Sequence, residues 1–233
     1  MSQNLLILIN LIPLLLKGAV VSVEVATSSL VIGLFIGLFV GLGRIYGSKV
    51  ISWFAILYIT VIRATPPIVS LFVLYFVISR YVNLPPLLAG ILALGISSGA
   101  YQSEIMRSAI ESVGQSQMLA ARAVGMSRIQ AITNIILPQA FRLAIPPWSN
   151  EAAQMLKNSS LVYALGIPEI LRQAQYVSAT TLKPFLAFGA AAVIYFILNF
   201  GINRGLDSLE KKVKIPAQES VYSISKSRTS LVS

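Results

Sequence analysis

Apolar residues run along this chain in long blocks, broken by glycines, proline pairs and small clusters of arginine or lysine. Blocks of this length read as helices that cross a bilayer, since about 20 apolar residues in a helix match a hydrocarbon core of ~30 Å. The first candidate span covers residues 18–43 and is closed by Arg44 and Lys49. Within it Gly33, Gly37 and Gly41 recur every fourth residue, which leaves one helix face smooth enough for a second helix to come close. The block at 51–62 is too short to span and reads as a short helix lying near a membrane surface.

Three proline pairs follow: Pro66-Pro67, Pro85-Pro86 and Pro146-Pro147. Proline is tolerated in the first helical turn, whose N–H groups have no intrahelical partner, so each pair predicts a helix start. The second to fourth spans are therefore expected at 66–81, 85–106 and 146–165, and a fifth at 184–203 after Pro184. The pattern predicts an all-α integral membrane protein with five transmembrane helices. Its membrane domain takes in residues 1–212, and a basic, serine-rich tail at 213–233 has no period that would bury a face.

Composition agrees: 56% of the residues are hydrophobic and only 11% charged, less than half the usual share for a globular domain. Mean hydropathy is +0.78. The net charge of +10 sits at the ends of apolar runs rather than on a soluble face, which argues for membrane topology and against a nucleic-acid partner. With five spans and the C-terminus inside, thirteen of the 18 Lys and Arg residues, from Arg44 to Arg228, fall on the cytoplasmic side. Lys17, Arg80, Arg172 and Lys183 fall outside, and Lys157 stays within a span. The N-terminus is then outside. Cysteine and histidine are absent, which removes disulfides, thiolate or imidazole metal sites and histidine acid–base chemistry.

The cytoplasmic connection between spans three and four, about 108–143, is too long for a plain link. Ala120, Ala121 and Ala123 favour a helix that Gly125 can end by taking a positive φ. A second helix is expected at 127–136, with Ile129, Ile132, Ile135 and Ile136 resting on the membrane domain and Pro138 interrupting its end. The alanine-rich helix stays presented to water. On the residues alone, a mere connector between spans would also satisfy this pattern.

The spacing resembles the cytoplasmic loop of ABC-transporter permease subunits. That signature opens on Glu-Ala-Ala, has glycine four residues after the second alanine, and closes after nine more residues on Ile-x-Leu-Pro. Ala120, Ala121, Gly125, Ile135, Leu137 and Pro138 occupy those positions, and Leu119 stands where the glutamate would be, so the ion pair of that glutamate is not available. Arg63 to Phe76 is similar to the Arg-Gly-Thr-Pro segment of polar amino-acid permeases, with Ala64 for glycine. Residues 100–110 and 150–174 are similar to the same family, with Asn158 and Ser159 where Asp-Thr is common. The likeness covers about residues 15–212.

The resemblance implies a non-catalytic permease subunit for ATP-driven amino-acid uptake. Its implied partners are an ATP-binding cassette ATPase subunit docked at the loop, a second permease subunit (copy or paralogue) and an extracytoplasmic solute-binding protein. ATP and Mg²⁺ would sit on the ATPase, with no cofactor on this chain. The implied location is the bacterial inner membrane. A rival class is a stand-alone secondary transporter or channel for a small polar solute. Against it stand the lack of a visible inverted repeat and a loop motif that would be idle.

The fourth span carries Asn150, Glu151, Gln154, Lys157 and Asn158 where lipid would make them costly, so they are expected to face a bundle interior or an aqueous cavity. Glu151, Gln154 and Asn158 share a helix face by their three-to-four-residue spacing. Glu151 could meet the ammonium of an amino acid and Lys157, or amide donors, its carboxylate. Equally, Lys157 could snorkel or pair with a partner, and Glu151 could sit at the cytoplasmic mouth. Tyr101, Glu104 and Arg107 read as structural or gating groups, with Glu104 and Arg107 spaced to pair.

Overall fold

The computed structural model describes residues 3–213, with side-chain surroundings given from 11 to 212. The tail expected at 213–233 lies outside the described residues beyond Val213. Every described element is helical. In order these are α1 (Gln3–Tyr46), α2 (Lys49–Ala64), α3 (Pro67–Phe72), α4 (Ser79–Val82), α5 (Pro86–Val113), α6 (Gln115–Ala123), α7 (Arg128–Ala131), α8 (Leu137–Asn158), α9 (Ile170–Thr181) and α10 (Pro184–Val213). Wider π turns at Val73–Ile78 and Ile132–Ile136 join α3 to α4 and α7 to α8, and a 3₁₀ segment, Ser159–Leu165, extends α8.

Among the described residues, Leu11–Tyr46 and Pro184–Lys212 are each long and apolar enough to cross a membrane. The pair Lys49–Ala64 and Pro67–Val82, bent by 104°, makes a third if it forms one span. Helices α5 and α8 fail on apolarity for a physical reason. They pack on each other and on α1 inside the bundle, so their polar residues face protein rather than lipid.

Two proline pairs start helices as expected: Pro66 caps α3 and Pro85 caps α5. The third does not. Pro146 and Pro147 lie inside α8, which begins at Leu137. Packing against α5 holds α8 through the double proline. A membrane bundle tolerates such breaks because neighbouring groups re-satisfy the freed backbone. The fourth span therefore runs on from the loop without an interruption at 146. The first helix also starts earlier than residue 18, and carries Pro13 within it.

The glycine face of α1 meets α5. A Cβ on Gly33 would lie 2.6 Å from the Gln102 side chain, and one on Gly37 would lie 2.7 Å from Gln102 Cβ and 2.9 Å from Ser103 N. The approach is reciprocal, since Cβ atoms on Gly95 and Gly99 of α5 would strike Ile32 and Ile36 of α1. Three apolar clusters lie along α1. The central one joins Val25, Leu30, Leu71, Leu94, Met155 and Leu156, and the one near Arg44 joins Met106, Ile110, Ile136 and Ala140. The third, at the opposite end, joins Leu11 and Leu15 to Ile170, Ala174, Ala187 and Ala191.

That third end is fastened by Glu169, a fully buried carboxylate that caps α9. It accepts hydrogen bonds from Leu171 N at 2.8 Å, Arg172 N at 2.7 Å and the Tyr195 hydroxyl at 2.8 Å. Gly18 makes room for it, because a Cβ there would lie 2.8 Å from the Glu169 carbonyl carbon.

Candidate functional site

The loop geometry begins with Gly114 at φ +85°, which separates α5 from α6. In α6, Leu119 and Ala120 are exposed and Ala121 is buried, the helix packing on α7 and the π turn that follows it. The chain then turns at Gly125, also at φ +85°. Its N–H bonds the Arg122 carbonyl at 3.1 Å, and Met126 N bonds Ala121 O at 3.1 Å, closing the helix end. Ser127 starts α7 with a capping box: its hydroxyl accepts from Gln130 N, and the Gln130 side chain accepts from Ser127 N at 2.9 Å.

Of the isoleucines expected to rest on the membrane domain, Ile132, Ile135 and Ile136 are partly or fully buried. Ile129 is not: at 74% exposure it stands beside Val124 at 79% on the loop's outer tip. The second helix does not end near Pro138. The π turn at Ile132–Ile136 absorbs the missing N–H, Leu137 and Pro138 open α8, and the Gln139 side chain donates to the Ile135 carbonyl at 2.9 Å. The loop and the fourth span are thus one stiff unit.

Nothing lies within 4 Å of a Cβ built on Gly125, so its positive φ alone demands glycine. A β-branched residue there costs about 1–3 kcal/mol. Gly125→Val is expected to lower the thermal midpoint of the purified protein, and an unchanged midpoint would mean that the turn carries no demand for glycine.

A second feature is a cavity of about 440 Å³ between the end of α2 and interior turns of α5 and α8, lined by Arg63, Tyr101, Glu104, Asn150, Glu151 and Gln154 among others. Glu151 is half-buried and accepts a 2.7 Å hydrogen bond from Ser98 Oγ. Ser98 in turn accepts from the buried Gln102 side chain at 3.0 Å, which also donates to Leu30 O at 3.1 Å and accepts from Trp148 Nε1 at 2.9 Å. Three helices therefore fix where Glu151 points.

Glu104 pairs with Arg107 at 2.9 Å, as the i,i+3 spacing predicts, and also with Arg44 of α1; Arg107 reaches Glu111 at 2.5 Å. Of the residues placed on the substrate path from sequence, Glu151 and Gln154 line the cavity. Asn158 does not, and accepts a 3.1 Å hydrogen bond from Gln154. Lys157 is exposed on α8, one turn beyond Gln154, and is not part of the lining. The cation that does line it, Arg63, read in the sequence as a topological charge and as the first residue of a family-like segment, not as a cavity residue.

The family described as the binding-protein-dependent transport system inner membrane component matches residues 29–215. The chain is 35% identical over 193 residues to a probable amino-acid ABC transporter permease protein, PatM, of Vibrio harveyi, covering 81% of this chain and 86% of the relative. It is 34% identical over 207 residues to the glutamine transport system permease protein GlnP of Escherichia coli K12 (88% and 94% covered). The L-cystine transport system permease protein TcyB of Bacillus subtilis is 32% identical over 203 residues (86% and 87%). A crystal structure of an amino acid ABC transporter with histidines superimposes with a TM-score of 0.83 at 33% identity, over 91% of this chain and all of the other. The MetNI methionine ABC transporter shares the fold, with a TM-score of 0.78 at 20% identity.

The fold and the relatives are those of a membrane-embedded, non-catalytic transport subunit, with ATPase activity on a separate chain. The chain belongs to the binding-protein-dependent transport system inner membrane component family.

Proposed function

We propose that this chain is one of two permease subunits, copies or paralogues, that carry a polar amino acid into the cell, with five spans, the N-terminus outside and the C-terminus in the cytoplasm. An extracytoplasmic binding protein delivers the substrate. An ATP-binding cassette subunit, holding ATP and Mg²⁺, docks on the loop through Leu119, Ala120 and the turn at Gly125. The names of the relatives support the amino-acid class.

The observation that carries the reading is the stiffness of the loop: α6, a glycine turn, a capping box and an unbroken run into α8. A knob so held transmits closure of a motor as rigid-body movement of α8, which lines the cavity. In the cavity, Glu151 meets the substrate ammonium. Purification from membranes tests this: a stoichiometric ATPase subunit is expected with the chain, and its absence at full membrane abundance would leave a stand-alone transporter.

Topology gives a further expectation. A reporter fused after Lys212 is cytoplasmic and one fused at Gln173 is external. Both on one side would overturn the assignment of the last two spans and the charge asymmetry with it.

A further inference from the structure

The geometry points to Arg63 as the residue that recognises the α-carboxylate of the substrate, which makes the cavity selective for zwitterionic amino acids over their amides and amines. This rests on the cavity being the substrate site. The charges around it are unequally committed. Glu104 is already paired with two arginines, Arg44 and Arg107. Glu151 holds a single hydrogen bond, from Ser98 to Oε1. Arg63 makes no ion pair or hydrogen bond among the described residues, and its guanidinium lies 5.1 Å from the centroid of the Tyr101 ring.

A contact with an aromatic face consumes none of the five N–H donors of arginine, which stay available in a fork that matches a carboxylate. The cavity therefore presents one uncommitted cation and one carboxylate with an open oxygen, the complement of an ammonium and a carboxylate on one small molecule. Asn150 and Gln154 supply neutral donors and acceptors between them. A volume of about 440 Å³ lies in the range of small-molecule sites.

The Arg63 side chain is exposed, and its position is set by its helix. It sits in the last turn of α2, just before the 104° bend, and α2 is tied to α5 by the Tyr58 hydroxyl donating to Ile96 O at 2.6 Å. Arg63 lies over a residue that lines the cavity.

The test is equilibrium binding of a pool of the twenty radiolabelled L-amino acids to the purified permease–ATPase complex in nanodiscs, without the binding protein. Each unlabelled amino acid and its α-carboxamide serve as competitors. Wild type is expected to bind, with the free acid displacing label and the amide at least tenfold weaker. Arg63→Gln should bind the acid about tenfold to a hundredfold more weakly and lose the preference for acid over amide, with Arg63→Lys between the two. Arg63→Gln with unchanged affinity and unchanged preference, while Glu151→Gln weakens binding, would overturn the role of Arg63 and leave the cavity as the site. Binding indifferent to both variants, or no displaceable binding to wild type at millimolar concentration, would overturn the cavity reading itself and Arg63 with it.

Discussion

Replacing Gly37 with leucine is expected to abolish assembly of the transporter. A Cβ at Gly37 would lie 2.7 Å from Gln102 Cβ, 2.9 Å from Gln102 C and 2.9 Å from Ser103 N, and most of that is backbone that cannot rotate away. Overpacking of a well-filled interior costs about 1–3 kcal/mol, and more where backbone must move. Displacing Gln102 also unseats the hydrogen bonds to Leu30, Ser98 and Trp148 that hold the cavity wall. Gly41→Ala is a graded comparison: its Cβ would sit 3.2 Å from Ser103 O and 3.3 Å from Met106 Cβ, so a modest loss is expected. Gly189→Ala, with nothing within 4 Å, should be silent. Membrane abundance and the thermal midpoint of the purified complex measure all three. A Gly37→Leu protein with wild-type values would mean that α1 and α5 do not meet at this face.

The second large effect belongs to Glu151. Glutamine keeps the shape and still accepts from Ser98, so the network behind it survives while the charge is lost. A charge-assisted hydrogen bond is worth about 1.5–3 kcal/mol, or roughly tenfold to a hundredfold in affinity. Uptake per intact complex should fall by that order, while ATPase activity stimulated by loaded binding protein partly survives, because the docking site proposed above is α6 rather than the cavity. Reduced abundance with unchanged uptake per complex would instead make Glu151 an assembly residue.

The sequence made the glycine face of α1 readable because close helix approach needs a smooth stripe at fixed spacing, and the structure puts Gly33, Gly37 and Gly41 against Gln102, Ser103 and Met106. Gly125 was readable for a similar reason, since a helix followed at once by another needs a residue that accepts positive φ. Pro146-Pro147 misled because local chemistry says helix start, while tertiary packing on α5 carries α8 through it. Arg63 was hidden. Its place in the cavity depends on the α2–α3 bend and on where α5 puts Tyr101, neither of which a linear pattern contains. Lys157 is the converse, a charge conspicuous in an apolar run that lies one helical turn beyond the last cavity-lining residue, Gln154. Ser98 and Gln102 left a faint sign, polar residues inside an apolar stretch, whose partners 46 to 72 residues away only the fold supplies.

The chain has no cysteine, so one introduced thiol reports one place. Ala120→Cys, on the exposed side of α6, and Gln175→Cys, exposed on α9, can each carry a photoactivatable maleimide in membranes of cells that express the whole transporter. Attachment of an ATPase subunit at Ala120, with none at Gln175, is the result that a motor docked on this loop predicts. An ATPase adduct at Gln175, or none at Ala120 in a complex that still transports, would contradict it.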